Sequence, residues 1–184
     1  MLHKTKYTVK PTYEETEKIV YNMPIVKLTI EELAEKIIQG RTFRPAIITG
    51  IIKKDNWKEQ QIFVLDFDDS VLEQEIDRCY ELKLFPTFIY TSFSHSDNQD
   101  KFRFVFILNE AVKDYDTAYA LQNKLMKLFN RCDESCNNLT RLYYGGKDLI
   151  WKYYDNILSI NDIFEIENGC NVDVPTVKGA SRKE

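Results

Sequence analysis

Ile62-Phe63-Val64-Leu65-Asp66-Phe67-Asp68-Asp69 is the stretch that decides how this chain folds. Its apolar and aromatic run is too short for a helix and is bounded by polar residues, which reads as a buried strand. Alternate side chains of a strand share a face, so Asp66 and Asp68 point the same way while Phe67 turns back into the core. Two carboxylates one pleat apart repel each other unless a cation lies between them. Paired hard oxygen ligands suit Mg²⁺ or Mn²⁺, the ions that clamp phosphates. The bland alternative is that Asp69 or Ser70 caps the helix that follows.

Working outward, Leu72, Ile76, Cys79 and Tyr80 recur at helical spacing and predict a helix over 70–83. On the N-terminal side, Ala46–Ile52 reads as a strand joined to 61–67 by a near-hairpin. Thr29-Ile30-Glu31-Glu32 is a capping-box pattern that starts a helix over 30–39, stopped by Gly40. Residues 1–24 carry mixed polar sequence punctuated by Pro11 and Pro24 and read as a loosely packed arm. On the C-terminal side, strands are expected at 87–91 and 102–108, forming a hairpin, then a helix over 115–130. A last short strand is expected at 141–146, and residues 150–166 read ambiguously, as a strand and a short helix starting near Ser159. The irregular alternation of strands and helices predicts an α+β fold: a mixed or antiparallel sheet flanked by helices, its central strand carrying the acidic pair. The expected division is an arm over 1–28, a catalytic domain over 29–168 and a linker-like tail over 169–184.

Composition limits what such a fold does. The 184 residues suit one domain or one compact two-lobed unit, and 43% hydrophobic content is ordinary for a globular chain. A net charge of −4 excludes a broadly basic nucleic-acid glove, so a polyanion must be held by a local patch or through metal ions. Cys79, Cys132, Cys136 and Cys170 form no C-x-x-C pair and have no nearby histidine, which argues against zinc. With no signal peptide and no apolar run of membrane-spanning length, the expectation is a cytoplasmic protein with reduced thiols.

Two further stretches carry chemistry. In Tyr90-Thr91-Ser92-Phe93-Ser94-His95, the histidine sits at the mouth of the hairpin among hydroxyls. There a neutral imidazole either donates to a phosphate oxygen and shuttles protons or is a solvated turn residue. Lys101 and Arg103 follow; Arg103 lies between two phenylalanines and so projects from the opposite face, for phosphate recognition or a surface ion pair. In Asp133-Glu134-Ser135-Cys136-Asn137-Asn138-Leu139-Thr140-Arg141, Asp133 offers a third carboxylate and Arg141 a second phosphate clamp. Gly145-Gly146 permits close backbone approach to a ligand, or a plain turn.

A D-x-D strand, a Ser-x-His-like turn before a basic strand and a later acidic motif together resemble the archaeo-eukaryotic primase superfamily. The likeness is greatest to primase-polymerase domains of phage and plasmid replication proteins. In those, Y-T-x-x-S-H precedes a K/R-F-R strand, and D-x-S-C-x-(N/D)-x-(S/T)-R ends in aromatics and two glycines. The resemblance spans about residues 40–148. It departs at Phe93, where the superfamily's small-x-His motif has a small residue.

The resemblance implies an RRM-like catalytic core and template-directed nucleotidyl transfer by a DNA primase or polymerase. Asp66 and Asp68 would hold two divalent ions, Mg²⁺ or Mn²⁺. Asp133 would be the third acid, with Asp114 and Asp116 as alternatives. Ser94, His95, Arg103 and Lys101 would contact the triphosphate of an NTP or dNTP, and Arg141 phosphate or the single-stranded DNA template. A helicase domain or partner is a further implication. The competing readings are a non-catalytic nucleic-acid-binding replication domain of the same descent, and a metal-dependent nuclease or phosphohydrolase. Replacing Asp66 or Asp68 by Ala is expected to abolish extension and leave the fold intact.

Overall fold

In the computed structural model, which describes residues 1–166, the acidic stretch ends an eleven-residue strand, β4 (Trp57–Phe67). It follows β1 (Leu2–Lys6), α1 (Tyr13–Val20), α2 (Ile30–Ile38), β2 (Arg41–Phe43) and β3 (Ala46–Ile48). After it come α3 (Leu72–Leu82), β5 (Phe88–Ser92), β6 (Phe102–Val112), α4 (Tyr115–Leu128), β7 (Gly146–Lys152) and α5 (Ile160–Phe164). β3, β4, β6, β5 and β7 form one antiparallel sheet in that spatial order, while β1 and β2 pair separately. The α+β architecture is as expected, but the middle strand is β6, with β4 beside it.

Alternation along β4 and β6 divides the core. Phe63, Leu65, Phe67, Phe102, Phe104 and Phe106 face α3, α4 and α5, meeting Cys79, Leu121, Leu125, Phe129 and Ile163. Val64, Phe88, Tyr90, Val105 and Ile107 face the other way, toward Leu33 and Ile37 of α2 with Leu2, Phe43 and Tyr143. Pairing of Phe67 with Phe102 and Leu65 with Phe104 fixes the register. A slip of one residue would turn the aromatic face to the wrong side, so burial specifies the register strongly.

The helices start where their capping residues place them. Thr12 with Glu15 and Thr29 with Glu32 complete capping boxes on α1 and α2. α3 departs from the cap expected at Asp69 or Ser70: its first amide, Leu72 N, donates to Asp100 Oδ2 at 2.9 Å, and the Ser70 hydroxyl donates to the buried Glu75.

Three segments differ from expectation. Residues 1–24 are folded: β1 and α1 lie within them, and Leu2, His3, Ile19 and Met23 are buried. Pairing of β1 with β2 supplies the hydrogen bonds that a loose arm would leave to water. The 46–52 strand stops at Ile48, opposite Trp57, because residues 49–56 are consumed by the turn back into β4. The strand expected at 141–146 starts only at Gly146. There a Cβ would lie 2.0 Å from the Thr91 carbonyl oxygen, so the approach of β7 to β5 requires glycine. Tyr143 makes only a single bridge, to Phe43. The short helix near Ser159 forms as α5, with Ser159 as its cap. The tail expected over 169–184 lies outside the described residues.

Candidate active site

The strand register that packs the phenylalanines also lines up Asp66, Arg103 and Tyr90 across β4, β6 and β5 on the opposite face. Arg103 Nε donates to Asp66 Oδ1 at 2.8 Å, and Arg103 Nη1 donates to the Tyr144 carbonyl at 2.8 Å and the Tyr90 hydroxyl at 3.3 Å. Arg141 Nη2 takes the other oxygen, Asp66 Oδ2, at 2.8 Å, while its Nη1 donates to Asp133 Oδ2 at 3.1 Å and to the Ser135 hydroxyl. Asp68, one pleat beyond Asp66, is half exposed, and its Oδ1 accepts from Lys101 Nζ at 3.2 Å. Asp66 itself is buried.

The loop carrying Asp133 is fastened to the strand by its backbone. Asp133 N donates to the Asp66 carbonyl at 2.8 Å, and Asp66 N donates to Cys136 Sγ at 3.3 Å. Asp133 caps the short turn Glu134–Asn137 through Ser135 N. Cys136, read from spacing as a cysteine without a zinc role, is therefore an anchor of the acidic strand. Its thiol is shifted down, first by a hydrogen bond from Cys132, whose own thiol that bond and burial shift up.

Electrostatics follow from this packing. Burial lowers the affinity of Arg103 for its proton, but Tyr90 and Asp66 outweigh it and hold the guanidinium charged. Burial pushes the Tyr90 hydroxyl up to about 12, against the pull of Arg103. Burial also raises the Asp133 carboxyl, and hydrogen bonds from the Ser135 amide and hydroxyl, with Arg141, reverse this to a net depression.

Asp66, Asp68 and Asp133 each offer a carboxylate oxygen, all within 4.8 Å of one another. Three hard anionic donors that close fit a divalent cation such as Mg²⁺ or Mn²⁺, with open positions for water or phosphate oxygens. The three also line a polar cavity of about 330 Å³ together with Ser94, Arg103 and Arg141. A larger groove of about 400 Å³, between α2 and the far ends of β4 and β6, is lined by Leu33, Ile62 and Ile107 and has no carboxylate in its wall.

Six of the eight residues singled out from sequence thus meet in one cavity. His95 and Lys101 flank it and do not line it. His95 Nδ1 accepts from Lys101 N at 3.2 Å, which leaves the ring proton on Nε2. The alternative acids fall elsewhere: Asp114 caps α4 and Asp116 pairs with Lys54. Lys10, Tyr90 and Tyr144 also belong to the site region: Tyr90 and Tyr144 fall within the motifs quoted from sequence without a role being read for them, and Lys10 carries no sequence signal. Tyr90 is recognisable only once β5 is in register with β6. Lys10 lies in a segment without periodicity, and Tyr144 in one read as a strand that does not form there.

No protein-family model and no curated protein matches the chain. Among solved structures, the chain is similar to the AEP domain of the primase-polymerase of cyanophage S-2L. The two share 13% identity over 86% of this chain and 85% of that one, with a TM-score of 0.51. At that identity the likeness is one of fold. Among the described residues no helix is long and apolar enough to cross a membrane.

Proposed function

We propose that this chain is a metal-dependent nucleotidyl transferase, a DNA primase or primase-polymerase domain acting in phage or plasmid replication. The observation that carries the reading is the convergence of three carboxylates and two arginines at the end of β4, in a fold shared with a primase-polymerase AEP domain. Residues 29–168 are the proposed catalytic unit, with the folded N-terminal segment packed against it.

Asp66, Asp68 and Asp133 would hold two divalent ions, Mg²⁺ or Mn²⁺. When bound, these ions lower the pKa of an attacking hydroxyl and stabilise the departing pyrophosphate. The side chains have distinct tasks. Arg103, its side chain only 9% exposed and held by Tyr90 and Tyr144, fixes the Asp66 carboxylate in place. Arg141 is more accessible, at 22%, and is the guanidinium able to leave Asp66 and Asp133 for a phosphate oxygen. Ser94 and the Nε2–H of His95 are donors at the rim for the same triphosphate, and Lys101 keeps Asp68 oriented. Single-stranded DNA is the proposed template, an NTP or dNTP the substrate, and a helicase the replication partner.

Full pairing of both Asp66 oxygens with guanidinium groups favours a second reading: a non-catalytic nucleic-acid-binding domain of the same fold. Incubation with single-stranded template, labelled NTPs or dNTPs and Mn²⁺ separates the two. Template-dependent products from the wild type, and none from folded Asp68→Asn, are expected. Template binding without products would leave the second reading standing. Degradation of labelled DNA in the absence of nucleotides would replace both with hydrolysis.

A further inference from the structure

The cavity wall contains three carboxylates and three cations, and two of the cations are already committed. Arg103 is bound to Asp66, and Arg141 to Asp66 and Asp133. The third, Lys10, comes from the segment between β1 and α1, is exposed, and has no carboxylate within ion-pair distance among the described residues. Its Nζ lies 5.8 Å from the centre of the Tyr144 ring.

The position of Lys10 is fixed by tertiary contacts on both sides. Tyr7 N donates to the Gly40 carbonyl at 2.9 Å, and Gly40 has φ +90° with the Tyr7 carbonyl pressed against it so closely that a Cβ would overlap it. Gly40 in turn packs on Gly145, the glycine in the cavity wall. Thr16 of α1 is hydrogen-bonded to the Tyr144 hydroxyl at 2.8 Å. Residues 7–16 therefore bridge Gly40 and Tyr144 and contribute Lys10 to the lining of the acidic cavity.

We propose that Lys10 is a binding residue for the triphosphate tail of the nucleotide, the uncommitted cation that draws an anionic ligand to a site whose arginines are engaged. This rests on the reading of the site as a triphosphate pocket. The chemistry favours it. A charged lysine at a cavity rim, unpaired and solvated, gains a charge-assisted contact without breaking an existing one. Arg141 must release two carboxylates to do the same. With divalent cations on the acids, Lys10 adds to a local excess of positive charge matched to the tail and not to the base.

The test is calorimetric titration of the full chain with a nucleoside mono-, di- and triphosphate in Mn²⁺. Lys10→Ala should weaken triphosphate binding about tenfold and monophosphate binding less than about twofold. Lys10→Arg should restore most of the loss. Lys18→Ala, a nearby cation on α1 that does not line the cavity, should change neither affinity, and the salt dependence of triphosphate binding should flatten only in Lys10→Ala. Unchanged affinities in Lys10→Ala, or a loss equal for all three nucleotides, would overturn the role of Lys10 and leave the proposed function intact. If the wild type binds no triphosphate with Mn²⁺, both fall together.

Discussion

The two faces of β4 and β6 are built by the same alternation and held by different physics. One face stacks Phe67 on Phe102 with ring centroids 4.9 Å apart and sets Phe104 edge-to-face on Phe129 at 5.6 Å, in a buried cluster against α3 and α4. The other, at the same level of the sheet, buries Asp66 and Arg103 between Tyr90 and Tyr144. Aromatic burial gains free energy roughly in proportion to area and tolerates approximate fit. A buried ion pair is worth little net and is unforgiving if one partner is lost. The polar face is therefore the fragile one, and its fragility is where chemistry is possible.

Breaking each face in turn separates these regimes. Phe104→Ala should cost about 3–5 kcal/mol of unfolding free energy, measured in urea, with Mn²⁺ affinity of the folded fraction unchanged. Asp66→Ala should cost about as much, roughly 3–5 kcal/mol, because it strands the Arg103 guanidinium. This revises the expectation that the fold would survive that change intact. The double variant Asp66→Leu with Arg103→Met should recover most of the loss in urea while Mn²⁺ binding stays absent; a double variant no more stable than Asp66→Ala would show that the face depends on the charges themselves.

At the exposed end of the same face the cost should shrink. Asp68→Asn should change stability by under about 0.5 kcal/mol, since its Lys101 pair is at the surface. It should nonetheless weaken Mn²⁺ binding, followed by electron paramagnetic resonance, by about tenfold or more. The smallest effect is a pH effect. The Asp133 carboxyl is depressed in the fold, so its contribution is present above the unfolded value of about 3.9. It is lost as pH falls through the lower folded value. An acid melt of Asp133→Asn should lack that increment, under about 1 kcal/mol, while Phe104→Ala retains it.

Much of this was legible before the fold was known. Period-two alternation gives β4 and β6, a capping box gives α2 its first residue, and parity places Asp66 with Asp68 and Arg103 opposite the phenylalanines, whereas the equivalent box of α1 goes unread in a segment expected to be a loose arm. Arg103 was read as a phosphate ligand or a surface ion pair; it is a buried partner of Asp66, a fact set by the pairing of β4 with β6. The resemblance makes Asp133 the third acid, with Asp114 and Asp116 as alternatives. What brings Asp133 beside Asp66 is a pair of hydrogen bonds between its loop and the strand, Asp133 N to the Asp66 carbonyl and Asp66 N to Cys136 Sγ.

The sequence by itself determined which residues alternate inward and outward along β4 and β6 and where α2 and α5 begin, because those depend on neighbours a few positions away. Only the tertiary structure decided that Tyr90, Cys136, Tyr144 and Lys10 join the acidic pair. Those contacts link residues 70 and 128 positions apart, among others, and are fixed by strand order and close glycine packing, which no local pattern encodes.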